Sequence, residues 1–90
     1  MMTRHFLKLH DKYFDAVLYG IKTFEIRKAD RDYKVGDALI LHRVDDEGHT
    51  SPNEPSIYRA ISYILRHEDF PAGIQEGYVI LGITGYQNRN

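Results

Sequence analysis

The sequence predicts an α+β fold that is mostly β, a small barrel of about five strands with one helix after the first strand. Three observations lead there. Ninety residues hold one hydrophobic core, because two would leave each half below the size at which chains usually fold unaided. The order of periodic segments is one strand, one helix, then four strands. About five short strands would leave two costly open edges unless the sheet closes on itself, so a mostly antiparallel barrel is expected. One domain spanning 1–90 follows, with a polar, frayed tail from about residue 85.

The first strand covers Arg4 to Leu9, with His5, Leu7 and Leu9 on one face and Phe6 and Lys8 on the other. A short helix follows, with Asp11 as its N-cap, Phe14, Val17 and Leu18 at helical spacing, and Gly20 in the left-handed position that ends it. The period then switches to two. Phe24 and Ile26 share one strand face, and Thr23, Glu25 and Arg27 crowd the other with charge, on a segment that must also supply core residues.

A charged connection, Lys28 to Lys34, contains Tyr33 and ends in the turn Val35-Gly36-Asp37. Ala38 to Leu41 is apolar without alternation, as in a central strand covered on both faces. Asp45 to Gly48 reads as an acidic turn, and the proline-containing stretch to Ser56 as an exposed, flexible loop. Ile57 to Arg66 alternates well, Ile57, Arg59, Ile61, Tyr63 and Leu65 facing one way and Tyr58, Ala60, Ser62, Ile64 and Arg66 the other, and should be the longest strand. After a loop containing Phe70-Pro71 and Gly73, the last strand runs from Tyr78 to Thr84 with Val79, Leu81 and Ile83 buried.

Composition removes several function classes. The absence of cysteine excludes disulfides, thiolate metal sites and cysteine nucleophiles. No apolar run approaches the roughly 20 residues of a membrane helix, and Met1 to His10 has no secretory apolar stretch, so a cytoplasmic protein without membrane attachment is expected. The five histidines, His5, His10, His42, His49 and His67, show no ligand spacing, so neither a metal nor a cofactor is expected. A formal charge of −1 gives no net field toward nucleic acid, so any polyanion site must be a local patch. Glycine-rich phosphate loops and the Gly-x-Ser-x-Gly elbow are absent from the sequence.

One string stands apart: Gly20-Ile21-Lys22-Thr23-Phe24-Glu25-Ile26-Arg27, continuing through Lys28-Ala29-Asp30-Arg31-Asp32-Tyr33 to Val35-Gly36-Asp37. It resembles the Gly-x-Lys-x-x-Glu-x-Arg signature of the ASCH domains, small relatives of the PUA fold. Lys22-x-Phe24-Glu25-x-Arg27 followed by Asp30-Arg31-Asp32 and Val35-Gly36-Asp37 is similar, more narrowly, to the bacterial and phage branch called DUF3850. The opening His5-x-Leu7-Lys8, Tyr13-Phe14 of the helix and the closing Gly77 to Ile83 also fit, so the resemblance covers nearly the whole chain. The segment His49 to Tyr58 departs from the tight hairpin of relatives.

That resemblance implies a PUA-like barrel with a cleft beside the Gly-x-Lys strand and a role in binding RNA or a nucleotide-like ligand. One ASCH branch hydrolyses acylated cytidine with a lysine and a threonine three residues later; here Lys22 is kept but Glu25 stands at the threonine position, so the hydroxyl nucleophile is missing.

The residues themselves admit both plain and functional roles. Lys22 is either a solvated lysine or a cation facing a phosphate or carbonyl oxygen. Glu25 and Arg27 either form a surface ion pair or read a ligand, Arg27 donating to phosphate or a base edge and Glu25 accepting from an amino group. Asp30, Arg31, Asp32 and Asp37 suit turn chemistry. Tyr33 is the one tyrosine nominated for base stacking.

Lys22, Arg27, Lys28 and Arg31 place four of the twelve basic residues within ten positions. The leading expectation is therefore a noncatalytic module binding RNA or a nucleotide-like ligand through Lys22, Glu25, Arg27, Lys28, Arg31 and Tyr33. The alternative is a small amidohydrolase on a modified nucleoside, with Lys22 and Glu25 as catalytic candidates. The third is a protein-interaction module, phage-encoded, acting on a host protein through an edge strand or the Asp45 to Ser56 loop.

Overall fold

A computed structural model describes residues 2–85, and the tail expected to fray lies outside the described residues apart from Gly85. Strand β1 (Arg4–His10) runs straight into helix α1 (Asp11–Leu18), then come β2 (Phe24–Lys28), β3 (Ala38–Val44), β4 (Ile57–Arg66), a single 3₁₀ turn over His67–Asp69 and β5 (Tyr78–Gly85). The strands form one sheet in the order β1-β3-β4-β5-β2, curled into a half-barrel. Only the β1–β3 ladder is parallel; the other three are antiparallel.

The core fills the concave side. Leu7 and Leu9 of β1, Leu39 and Leu41 of β3, Ile57 and Ile61 of β4, and Val79, Leu81 and Ile83 of β5 meet Phe14 and Val17 of α1. Phe14 and Val17 are almost fully buried, each worth about 1.5–3 kcal/mol. Leu18 is 42% exposed and adds little. On the convex side Ile40 is 2% exposed between its in-register neighbours Phe6 and Tyr58, which fits Ala38 to Leu41 being apolar without alternation.

The helix is fixed at both ends. Its N-cap is His10 rather than the expected Asp11: His10 has extended backbone, and its Nδ1 accepts from the Lys12 N–H at 3.0 Å. Asp11 lies in the first turn, where a carboxylate suits the helix dipole. At the other end Gly20 takes φ +75°, and Arg59 of β4 donates to the carbonyls of Val17 and Leu18 at 2.9 and 3.2 Å.

Two strand readings change. In β4 the alternation breaks at a bulge, where Ile61 opposes Ile83 but Tyr63 opposes Gly82. Two residues, Ser62 and Tyr63, thus face one on β5, so Tyr63 turns outward and Ile64 packs on the core in place of Leu65. In β2 the two faces are as expected, but the charged one is inside. Glu25 is 3% exposed, whereas Phe24 and Ile26 are 45% and 58% exposed.

A buried clamp ties the turn before β3 to the chain start. Asp37, 2% exposed, accepts from the Thr3 and Lys34 N–H groups at 3.0 Å and pairs with His5 Nε2 at 2.8 Å. Burial alone would raise the pKa of Asp37; the bonds from His5, Thr3 and Lys34 together outweigh it and hold the carboxyl below its ordinary value. Tyr33, 2% exposed, packs its ring against His5 at 4.7 Å. No described helix is long and apolar enough to cross a membrane.

Candidate functional site

The sheet's two edge strands, β1 and β2, form the unclosed seam of the half-barrel. Hydrogen bonds show which way their main chains point. Ile83 N–H donates to Thr23 C=O and Ala29 N–H to Gly77 C=O, so odd-numbered residues of β2 turn their backbone to β5. Phe24, Ile26 and Lys28 therefore turn theirs to the seam. Likewise Ala38 N–H donates to Thr3 C=O, which turns odd-numbered residues of β1 toward β3 and leaves the Lys8 main chain at the seam.

A cleft of about 440 Å³ lies there, within the range of small-molecule sites. Its floor is a charged network. Glu25 Oε2 accepts from Lys22 Nζ at 2.5 Å, and Oε1 accepts from Arg27 Nε at 3.0 Å and Nη2 at 2.8 Å. Lys22 Nζ also donates to Phe24 C=O at 2.6 Å, and Arg27 Nη2 to Lys8 C=O at 2.8 Å. The network thus satisfies two seam-facing carbonyls, one on each rim.

Aromatic rings complete the wall. Lys22 Nζ sits 4.8 Å from the Phe24 ring centroid and 5.4 Å from that of Tyr13, close enough for cation–π attraction. Tyr13 is delivered by α1, whose capping residue His10 also lines the cleft and bonds Asp46 Oδ1 through Nε2 at 2.5 Å. Because Nδ1 accepts from Lys12, the neutral His10 carries its proton on Nε2 in this arrangement.

Donor capacity remains. An ammonium has three N–H groups and Lys22 directs two at Glu25 and Phe24; a guanidinium has five, and among the described residues Arg27 Nη1 has no acceptor. The carboxylate, by contrast, has both oxygens engaged by cations. The site can therefore present donors, held side by side by Glu25, to an acceptor-rich or anionic group beside two rings. No group of three or more metal-ligating side chains occurs among the described residues.

Of the six expected ligand residues, the fold brings Lys22, Glu25 and Arg27 together. Lys28 lies outside the cleft, on the exposed face of β2, and Arg31 pairs loosely with Asp30 at 4.0 Å in the following loop. Tyr33 is a core residue, too buried to stack on a base; burial raises its pKa most, with Arg31 and Arg27 opposing. Glu25 does not stand free to accept from a ligand amino group, since Lys22 and Arg27 already occupy both oxygens. Sequence reading passed over Tyr13, Phe24 and His10 as cleft residues. The spacing from Tyr13 to the lysine after the helix-ending glycine was the available signal, because a helix that doubles back sets its first turn beside the strand that follows.

Comparison with known proteins places this geometry in context. A family model described as "Domain of unknown function (DUF3850)" matches residues 4–83. Over 38 residues the chain is 63% identical to the "Uncharacterized 12.9 kDa protein in GpA 3'region" of Escherichia phage P2. That stretch is 42% of this chain and 35% of the phage protein, so the alignment spans about a third of the relative's length.

Proposed function

The chain belongs to the DUF3850 family, and we propose that its seam cleft binds RNA or another nucleotide-like ligand of the cytoplasm without transforming it. The observation that carries this reading is the buried Glu25, which holds Lys22 and Arg27 side by side with N–H groups to spare against Tyr13 and Phe24. A phosphate or base carbonyl takes the donors, and the base lies beside the Tyr13 ring. The likeness of Gly20-x-Lys22-x-x-Glu25-x-Arg27 to the ASCH signature supports the same ligand class and a PUA-like kinship.

The test is an NMR titration of labelled protein with a short mixed-sequence single-stranded RNA, and separately with cytidine, at two salt concentrations. Shifts are expected at the amides of Tyr13, Lys22, Phe24 and Arg27. Two phosphate contacts on single-stranded RNA give a log–log salt slope of about −1.4, so affinity should fall about sevenfold from 50 to 200 mM salt. Binding indifferent to salt, or no perturbation of those amides, overturns the proposal.

One observation favours a second reading. Lys22 Nζ and Glu25 Oε2, 2.5 Å apart, are placed for proton exchange, as a nucleoside amidohydrolase requires. The residues lining the cleft include no serine, threonine or cysteine, so water would have to be the nucleophile. Turnover of acylated cytidine that Lys22→Met abolishes would establish this reading over the first.

A further inference from the structure

The convex face of β4, β5 and β2 carries a second feature beside the cleft. In register across the three strands stand Tyr63, Gly82 and Phe24. Both aromatics are exposed, at 65% and 45%. The glycine between them leaves a gap two strand spacings wide, about 9.5 Å between the flanking Cα atoms. A planar ring in contact with an aromatic face on each side needs about 7–8 Å between those faces, so the two side chains, which splay apart on a convex face, must lean toward one another to grip it.

The bulge makes this gap. Unbroken alternation would turn Tyr63 inward with Ile57 and Ile61, but the extra residue at Ser62–Tyr63 reverses it and exposes the ring. A Cβ at Gly82 would come within 3.1 Å of Ser62 Oγ, so a larger residue there would press on the Ser62 side chain at the edge of the gap. The sheet gives up ladder regularity at this point, and the result is an exposed ring in register with a residue that has no side chain, with Ser62 Oγ beside it.

Charge identifies the occupant. Lys28 lies on the same face of β2 as Phe24 and Ile26, and the outward residues of these three strands include no carboxylate. Phe24 joins this face to the cleft, since its ring is also the one against which Lys22 Nζ lies. We infer that the Tyr63–Gly82–Phe24 slot holds a second base of a single-stranded RNA whose neighbouring nucleotide occupies the cleft, with Lys28 meeting the backbone phosphate. This rests on the nucleotide reading of the cleft and extends it from one nucleotide to a path of at least two. It also gives Lys28 a role outside the cleft.

The experiment compares wild type, Tyr63→Ala and Tyr63→Phe, using cytidine 5′-monophosphate and a mixed-sequence tetraribonucleotide as probes. Tyr63→Ala should weaken tetranucleotide binding by about tenfold, the scale of one lost stacking contact, while Tyr63→Phe stays near wild type. Mononucleotide affinity should be the same in all three. In the wild-type complex, contacts between base protons and the Tyr63 ring protons give a readout that needs no variant. If the tetranucleotide binds and depends on Lys22 and Arg27, but is indifferent to Tyr63→Ala and shows no such contacts, the slot is refuted and the cleft reading stands. If the tetranucleotide does not bind wild type at all, both fall.

Discussion

Glu25→Leu offers the sharpest test of the charged floor, because the side chain is 3% exposed and accepts three bonds from two cations. Removing the carboxylate leaves Lys22 and Arg27 facing one another with no counter-charge. Breaking a buried pair by deleting one partner costs about 3–5 kcal/mol. The two cations are 18% and 20% exposed and can turn partly to water, which puts the expected loss at the lower end, about 3 kcal/mol. For a domain of this size that lowers Tm by about 12–24 °C. The triple variant Lys22→Met, Glu25→Leu, Arg27→Met removes both signs of charge together. It should recover most of the loss, to within about 1–2 kcal/mol of wild type, because apolar replacement of a whole buried network is often near neutral. Thermal melts followed by circular dichroism at neutral pH decide it. A Glu25→Leu protein melting within about 3 °C of wild type, or a triple variant melting no higher than Glu25→Leu, would refute the claim that the carboxylate holds two otherwise incompatible cations in place.

Two further outcomes follow from the fold. Because the Asp37 pKa is depressed in the folded state, its ionised form contributes stability that is present above the unfolded value of about 3.9 and lost as pH falls through the lower folded value. The Tm gap between wild type and Asp37→Asn should therefore be constant at neutral pH and shrink as pH drops below about 4; a gap that widens on acidification contradicts the clamp. At the helix start, His10→Asn keeps an acceptor for the Lys12 N–H whereas His10→Ala does not, so the alanine variant should be about 1 kcal/mol less stable than the asparagine one, and equal melting temperatures would show that the Nδ1 contact does not cap the helix.

The periodic elements were legible in the sequence because local periodicity determined them: the odd face of β1, Phe14 and Val17, and Val79, Leu81 and Ile83 are buried as the pattern requires. The inside of β2 was not legible. A period of two separates Glu25 and Arg27 from Phe24 and Ile26, but which pair turns inward depends on partners elsewhere. Here the buried carboxylate is neutralised by cations three residues before it and two after, while the apolar pair lies on the convex face. The bulge was equally hidden, since Tyr63, Ile64 and Leu65 are all apolar and do not mark where the alternation shifts, and its counterpart is a glycine on another strand. Tyr33 sits in a charged segment that reads as surface, and its burial in the core is set by distant residues, its ring packing on His5 of the Asp37 clamp and its carbonyl accepting from Arg66. For the same reason the ten-residue basic run divides three ways, into the cleft, the convex face and a loop.

Closure of the sheet and the layout of the candidate site rest on one set of atoms. A five-stranded sheet of this curl leaves main-chain groups of β1 and β2 without a ladder partner, and side chains do what backbone does elsewhere: Lys22 meets the Phe24 carbonyl and Arg27 the Lys8 carbonyl. Both cations must lie beneath the seam to do so, and Glu25 is the group that lets two positive charges share that space. Arginine suits the task better than lysine, because its planar fork grips Glu25 through Nε and Nη2 and reaches across to the other strand while Nη1 has no acceptor among the described residues. An anion arriving at Nη1 does not have to break the contact that closes the barrel. The proposed site is thus preorganised by the same bonds that stabilise the fold, and on the binding reading a ligand would add to the network instead of competing with it.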